Sequence, residues 1–154
     1  MTISFFCLPF PLSWYYLLQN NDKNKMEKYL LTIKNKSEVL YLPTDRILYI
    51  QADGNYCDIY LTDCDVINTL TYQRAEIARM MDEQLPAEVR RRFMLLGRSY
   101  MVNADYVLRI QPSKQQLTFG VNIFGTTKKV SIKATTKALD LLAAEMDNQT
   151  ATRQ

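Results

Sequence analysis

Histidine does not occur among the 154 residues of this chain. Its absence removes Ser–His triads, imidazole general bases and His-ligated metal sites. Cysteine is scarce. Cys7, Cys57 and Cys64 are odd in number, and their spacing forms neither a CxxC knuckle nor a disulfide framework. They read as reduced thiols, which places the chain in a cytoplasm. Glycine occurs four times, and no Gly-rich phosphate cradle is present. A membrane span is missing too. Residues 1–21 carry no charged side chain, but Pro9 and Pro11 interrupt them, and the apolar run falls short of the ~20 residues a crossing helix needs. A basic n-region and a small-residue cleavage site, the marks of a signal peptide, are not evident.

What remains is ordinary for one globular domain: 47% apolar and 23% charged residues. Ten tyrosines tilt the expectation towards strands. The uncharged leader fits poorly with this, since an apolar tail without a partner is an aggregation liability. A start of translation at Met26 would explain it. The expected organisation is then a leader over 1–25, a domain over 26–147 and a polar tail over 148–154. A packed or membrane-touching tail is the alternative.

Net charge is only +3, but it is unevenly placed. Between Leu85 and Lys137 ten basic residues face only Glu88 and Asp105, a net +8, and the remainder of the chain carries −5. A basic segment on a nearly neutral protein is a footprint for a polyanion. Lysines guarding solvated strand edges would give the same count.

From Met26 the apolar period is two, which predicts strands near residues 29–34, 38–42, 47–51, 56–61 and 66–70. Asp53-Gly54-Asn55 is a strong turn signal. Cys64 is an odd choice at a tight turn tip, where glycine is cheaper. From Thr71 to Gln84 the period changes. Ile77, Met80, Met81 and then Leu85 share one helical face, and Pro86 ends it. The methionines read as core filler. Strands follow near 94–96, 107–110 and 116–119. Gly120–Gly125 reads as hairpin connection and 128–132 as a last strand. A final helix is expected from about Lys133 to Met146, with Ser131 as N-cap. This order means antiparallel sheets with helices at one side or end.

Catalytic groups are not apparent. Asp53 with Asp58, and Asp63 with Asp65, sit at hairpin turns, where Asp serves the backbone. Ser99 has no base beside it. Arg98 is more promising, because it follows Gly97 at the end of an apolar strand and could pair bidentately with guanine or phosphate. Lys133, with Lys128 and Lys129 upstream, would oppose the dipole of the last helix, a misfit that an anion there would relieve. Asn55, Tyr56 and Cys57 offer a third contact loop.

The runs DRILYIQADGNYCDIYLTD, RFMLLGRSYMVNADYVLRI and KKVSIKATTKAL together resemble the LytTR family of DNA-binding domains, over about Leu40 to Leu142. The box Arg98-Ser99-Tyr100-Met101-Val102-Asn103 is the most specific part. The resemblance implies a mainly β, elongated stack of antiparallel sheets with short helices, α+β by content. It implies a transcriptional regulator that binds double-stranded DNA through loops in successive major grooves. DNA contacts carry over to Arg98, to Lys133 and to the hairpin at Asn55, Tyr56 and Cys57. Ser99 and Asn103 become supports that aim Arg98, and Lys128, Lys129 and Ser131, just upstream of Lys133, are the remaining supporting residues. Gly97 stands where the family often has His, which removes one contact. Lys133 offers a point charge in place of an Arg fork, which weakens base selectivity there. No enzyme activity, metal or cofactor is expected. The chain reads as a stand-alone binder, with pairing of two copies on repeated sites left open, and membrane contact enters only if residues 1–21 are real and exposed. The competing reading is a β-rich protein- or membrane-interaction module that uses the apolar leader.

Overall fold

Alternation in LLTIK turns Leu31 and Ile33 to one side, where both are fully buried, and strand β1 (Leu30–Lys34) forms there. The computed structural model describes residues 29–153, so the expectations for the leader, Cys7 and Met26 lie outside the described residues. A turn follows in which Asn35 Oδ1 accepts from the amides of Ser37 and Glu38 at 2.9 and 2.8 Å. Strand β2 (Val39–Pro43) then pairs back on β1.

Next come β3 (Ile47–Asp53), β4 (Tyr56–Leu61) and β5 (Val66–Leu70), then helices α1 (Arg74–Gln84) and α2 (Ala87–Arg90). Strands β6 (Phe93–Leu96), β7 (Tyr100–Asn103), β8 (Val107–Gln111), β9 (Gln116–Ile123) and β10 (Thr126–Lys133) lead to helix α3 (Thr136–Arg153). Among the described residues every strand pairing is antiparallel. The central sheet has the order β5-β4-β3-β7-β6, with β1-β2 forming a hairpin and β8-β9-β10 a second sheet. The predicted mainly β stack with short helices is therefore the observed fold.

The central sheet separates two cores. On one face Ile50, Ile59 and Met101 meet Leu31 and Ile33 of the hairpin and Ile77 and Met81 of α1. On the other, Tyr49, Leu96 and Val102 meet Leu117, Phe119 and Ile132 of the second sheet and Leu139 and Leu142 of α3. The Tyr49 ring lies between those of Tyr60 and Phe119, with centroids 4.4 and 5.4 Å away. Burial pushes the Tyr49 phenol up to about 12. Met81 is a core residue with no exposure, and Met80 packs partly against the same core.

Helix α2 and strand β7 stand where no element was expected, and three others differ in their bounds. Helix α1 begins at Arg74, three residues late, because Gln73 and Glu76 form a reciprocal capping box. Strand β9 runs through Gly120, which reads locally as punctuation. Val121 and Ile123 continue the inward alternation of Leu117 and Phe119, and only Phe124 and Gly125, with φ of 51° and 78°, make the turn. Gly120 leaves room for Leu108, whose Cδ2 lies 3.3 Å from where a Cβ would stand. Helix α3 starts at Thr136, since β10 stays paired through Lys133. Thr135 Oγ1 accepts from the Ala138 amide at 3.2 Å and takes the capping role expected of Ser131. The helix continues past Asn148, where a frayed tail was expected, and Gln149 Nε2 donates to the Arg91 carbonyl at 3.0 Å.

Cys64 occupies its turn tip with φ 71°, a left-handed conformation. Relief of that strain exceeds the extra backbone entropy of glycine, so Cys64→Gly should stabilise by about 0.5–1 kcal/mol. A thermal melt raised by about 2–4 °C is the expected reading, and a lowered melt refutes it.

Candidate nucleic-acid interface

The strand ends at one pole of the molecule gather the residues that could meet an anion. Gly97, Arg98 and Ser99 turn the chain from β6 into β7. Gly97 has φ 64°, where glycine costs least, and a Cβ placed on it would lie 3.7 Å from Cβ of Ala138. The turn therefore rests against the first turn of α3. Arg98 is exposed, and among the described residues no hydrogen bond or ion pair engages it. The Ser99 carbonyl accepts from the Ala52 amide at 2.7 Å, which fastens the turn to the end of β3.

That end of β3 leads into the turn at Gly54 and Asn55. Asn55 Oδ1 accepts from Gln73 Nε2 at 3.0 Å. The adjacent Arg74 donates to the Gly97 carbonyl at 2.8 Å and, at 3.4 Å, to that of Tyr100. Gln73 and Arg74, at the start of α1, thus strap the Asn55 turn and the Arg98 turn together. No local pattern marks them for this, because their partners lie 18 and 23 residues away.

Lys133 is the last residue of β10 and is exposed. The segment after it is held by Ala134 donating to the Gln115 carbonyl at 3.1 Å and Thr136 Oγ1 donating to that of Pro112 at 3.0 Å. Ala138, five residues on from Lys133, stands where a Cβ on Gly97 would reach, so the turn carrying Arg98 lies beside the first turn of the helix that follows Lys133. Lys133 does not stand in a helical turn, so the dipole misfit expected for it does not arise. Lys137 occupies that position, in a first turn without an acidic residue.

The other candidate positions separate. Asn55 is exposed and Tyr56 is 48% exposed, both at the gathered pole. Cys57 is 1% exposed and belongs to the core beneath the sheet, so it is no surface contact. Neighbours in a strand point to opposite faces, and with Tyr56 outward Cys57 must go in. Burial pushes its thiol pKa up. Asn103 is a support, but at the far end of β7 from Arg98. Its Nδ2 donates to the Ile47 carbonyl at 2.9 Å, and its Oδ1 accepts from the Asp105 amide at 3.1 Å. Ser131 Oγ lies 3.1 Å from Thr118 Oγ1 across the β9–β10 ladder. Lys128 and Lys129 are exposed but stand five and four residues from Lys133, roughly 13–17 Å along the strand.

Asp63 proves to be a turn former. Its carboxylate accepts from the Asp65 amide at 3.1 Å and from Arg46 at 2.6 Å, which hold it below the usual carboxylate range. Among the described residues no group of three or more His, Cys, Asp or Glu could hold a metal ion, and no helix is long and apolar enough to cross a membrane.

A family model described as the LytTr DNA-binding domain matches residues 37–142. Among solved structures, the LytTr DNA-binding domain of a methyl-accepting/DNA response regulator from Bacillus cereus is similar, with a TM-score of 0.49 and 16% identity over 78% of this chain and 98% of that one. No curated protein sequence matches.

Proposed function

The chain belongs to the LytTr DNA-binding domain family, and from that premise we propose that it regulates transcription by sequence-specific binding of duplex DNA, presenting Arg98 and Lys133 to the major groove from loops. The family is one of DNA-binding domains, not of enzymes. One observation supports the reading: the turn of Arg98 lies beside the first turn of the helix that follows Lys133, and among the described residues no carboxylate pairs with either cation.

The roles differ by chemistry. The Arg98 guanidinium presents a planar fork that matches guanine O6 and N7. Lys133 is a mobile point charge, suited to a phosphate or to a single acceptor. Asn55 has its amide oxygen engaged by Gln73, so its free N–H groups suit a phosphate better than the two-point pairing with adenine. Tyr56 adds a hydroxyl donor and an apolar ring edge on the same turn. Gln73 and Arg74 touch no base in this arrangement; they keep the Asn55 and Arg98 turns at a fixed separation.

Selection of bound duplexes from a random pool, followed by gel shift across salt, tests the reading. With about four phosphate contacts, affinity should fall about 10²-fold between 50 and 200 mM salt. A flat titration, or no shift at micromolar protein, refutes DNA binding and leaves the basic pole as solvated surface.

A further inference from the structure

The sheet β8-β9-β10 covers the central sheet with one face and leaves the other open. Pairing register sorts its side chains, since directly opposed residues share a face. Leu117 with Ile132, and Phe119 with Val130, point to the core. The alternate rows point out: Gln111, Gln116 and Lys133 in one row, and Arg109, Thr118 and Ser131 in the next. The third row is Gly120 with Lys129, with Leu108 folded over the glycine.

Arg109, Lys129 and Lys133 are exposed, and among the described residues none of their side chains is in an ion pair or hydrogen bond. From Val107 to Lys133 the chain has no Asp or Glu at all. An ordinary solvated sheet face mixes signs, so that cations find partners across strands. Here three cations share one face with hydroxyl and amide groups between them. Lys129 stands roughly 13 Å along β10 from Lys133, and Arg109 roughly 10 Å across the sheet from β10.

We propose that this open face is a second polyanion-binding surface, which tracks phosphates of the duplex flanking the recognised bases. The inference rests on the DNA-binding reading above and extends it. Lys133 belongs to both sites, at the corner where the loop pole meets the sheet face. A duplex that receives Lys133 at that corner is brought alongside Lys129 and Arg109. Ser131 and the glutamines of the neighbouring row donate to phosphate oxygens without reading sequence, while Thr118, only 8% exposed, holds the Ser131 hydroxyl from beneath. The face therefore supplies affinity and register, and Arg98 supplies choice. A face offering only positive charge and neutral donors suits a phosphate backbone better than an acidic protein patch, which would ask for apolar anchors as well.

The test compares the full chain with the double variant Arg109→Gln/Lys129→Gln on two duplexes recovered from a random pool. One is trimmed to the selected core, and the other carries a flanking helical turn of about 10 base pairs on each side. On the long duplex the slope of log affinity against log salt should flatten by about 2, close to the loss of two phosphate contacts. On the trimmed duplex the slopes should match. The preference for selected over scrambled sequence should be unchanged on both. The charge-keeping variant Arg109→Lys/Lys129→Arg should restore the slope on the long duplex. Equal slopes for parent and double variant on the long duplex overturn the second surface while leaving the loop site standing. So does a double variant that aggregates yet binds with the parental slope, which would make these cations edge guards. If the unmodified chain binds neither duplex, the DNA reading itself has failed.

Discussion

Replacing Arg98 by alanine should lower affinity for the selected duplex about 5- to 150-fold, or about 1–3 kcal/mol, and lower affinity for random duplex by much less. The asymmetry follows from the placement of the side chain. Its guanidinium has no partner among the described residues, so removing it breaks no internal bond and the melting temperature should stay put. The turn that carries it is held by backbone groups, the Gly97 and Ser99 carbonyls, which the substitution leaves in place. What disappears is a two-point donor at a base edge, together with one charge. Arg98→Lys separates those two losses, since it keeps the charge and discards the fork. Binding to random duplex should then match the parent while the preference for the selected sequence falls. Equal losses on both duplexes for Arg98→Ala would make the residue a phosphate clamp and leave base choice to another loop.

Some of this site was legible in the sequence, and the parts that were not share a cause. The alternation of Tyr56, Asp58 and Tyr60 against Cys57, Ile59 and Leu61 predicts β4 at its observed bounds. The same alternation places Cys57 with the buried set, so a surface role for it beside Asn55 and Tyr56 runs against the period. Arg98 was visible because a glycine and a polar turn interrupt an apolar run. Gly120 misled because a glycine inside a strand looks like a break until Leu108, from another strand, is seen to need its space. Ser131 and Thr135 are both plausible caps by composition. The ladder decides between them, since pairing of Gln116 with Lys133 holds Ser131 in extended backbone. Gln73 and Arg74 were invisible as a strap, because a helix start gives no hint of which carbonyl, a score of residues onward, its arginine will reach. Local period and turn chemistry were readable, and contacts between elements distant in sequence were not.

Asn103 shows how a residue of the most specific motif can matter without approaching DNA. Asn103→Ala should destabilise the fold by about 2–4 kcal/mol. The side chain is 2% exposed and serves two backbone groups, donating to the Ile47 carbonyl and accepting from the Asp105 amide. Alanine orphans the Ile47 carbonyl, on a residue with no exposure, at about 1–3 kcal/mol, and gives up the bond to the part-buried Asp105 amide, at about 1 kcal/mol. The bonds join the start of β3 to the turn after β7, at the pole opposite Arg98. Loss there should lower the denaturant midpoint without retuning the recognition turn. Below its unfolding transition, and corrected for the folded fraction, the variant should bind the selected duplex with parental affinity and parental preference. Asn103→Asp should do no better than alanine. It keeps an acceptor for the Asp105 amide but loses the donor to Ile47, and it sets a carboxylate in a buried position beside that carbonyl. A variant that unfolds at the parental midpoint yet loses its preference for the selected duplex would contradict this and move Asn103 from the scaffold to the reading surface.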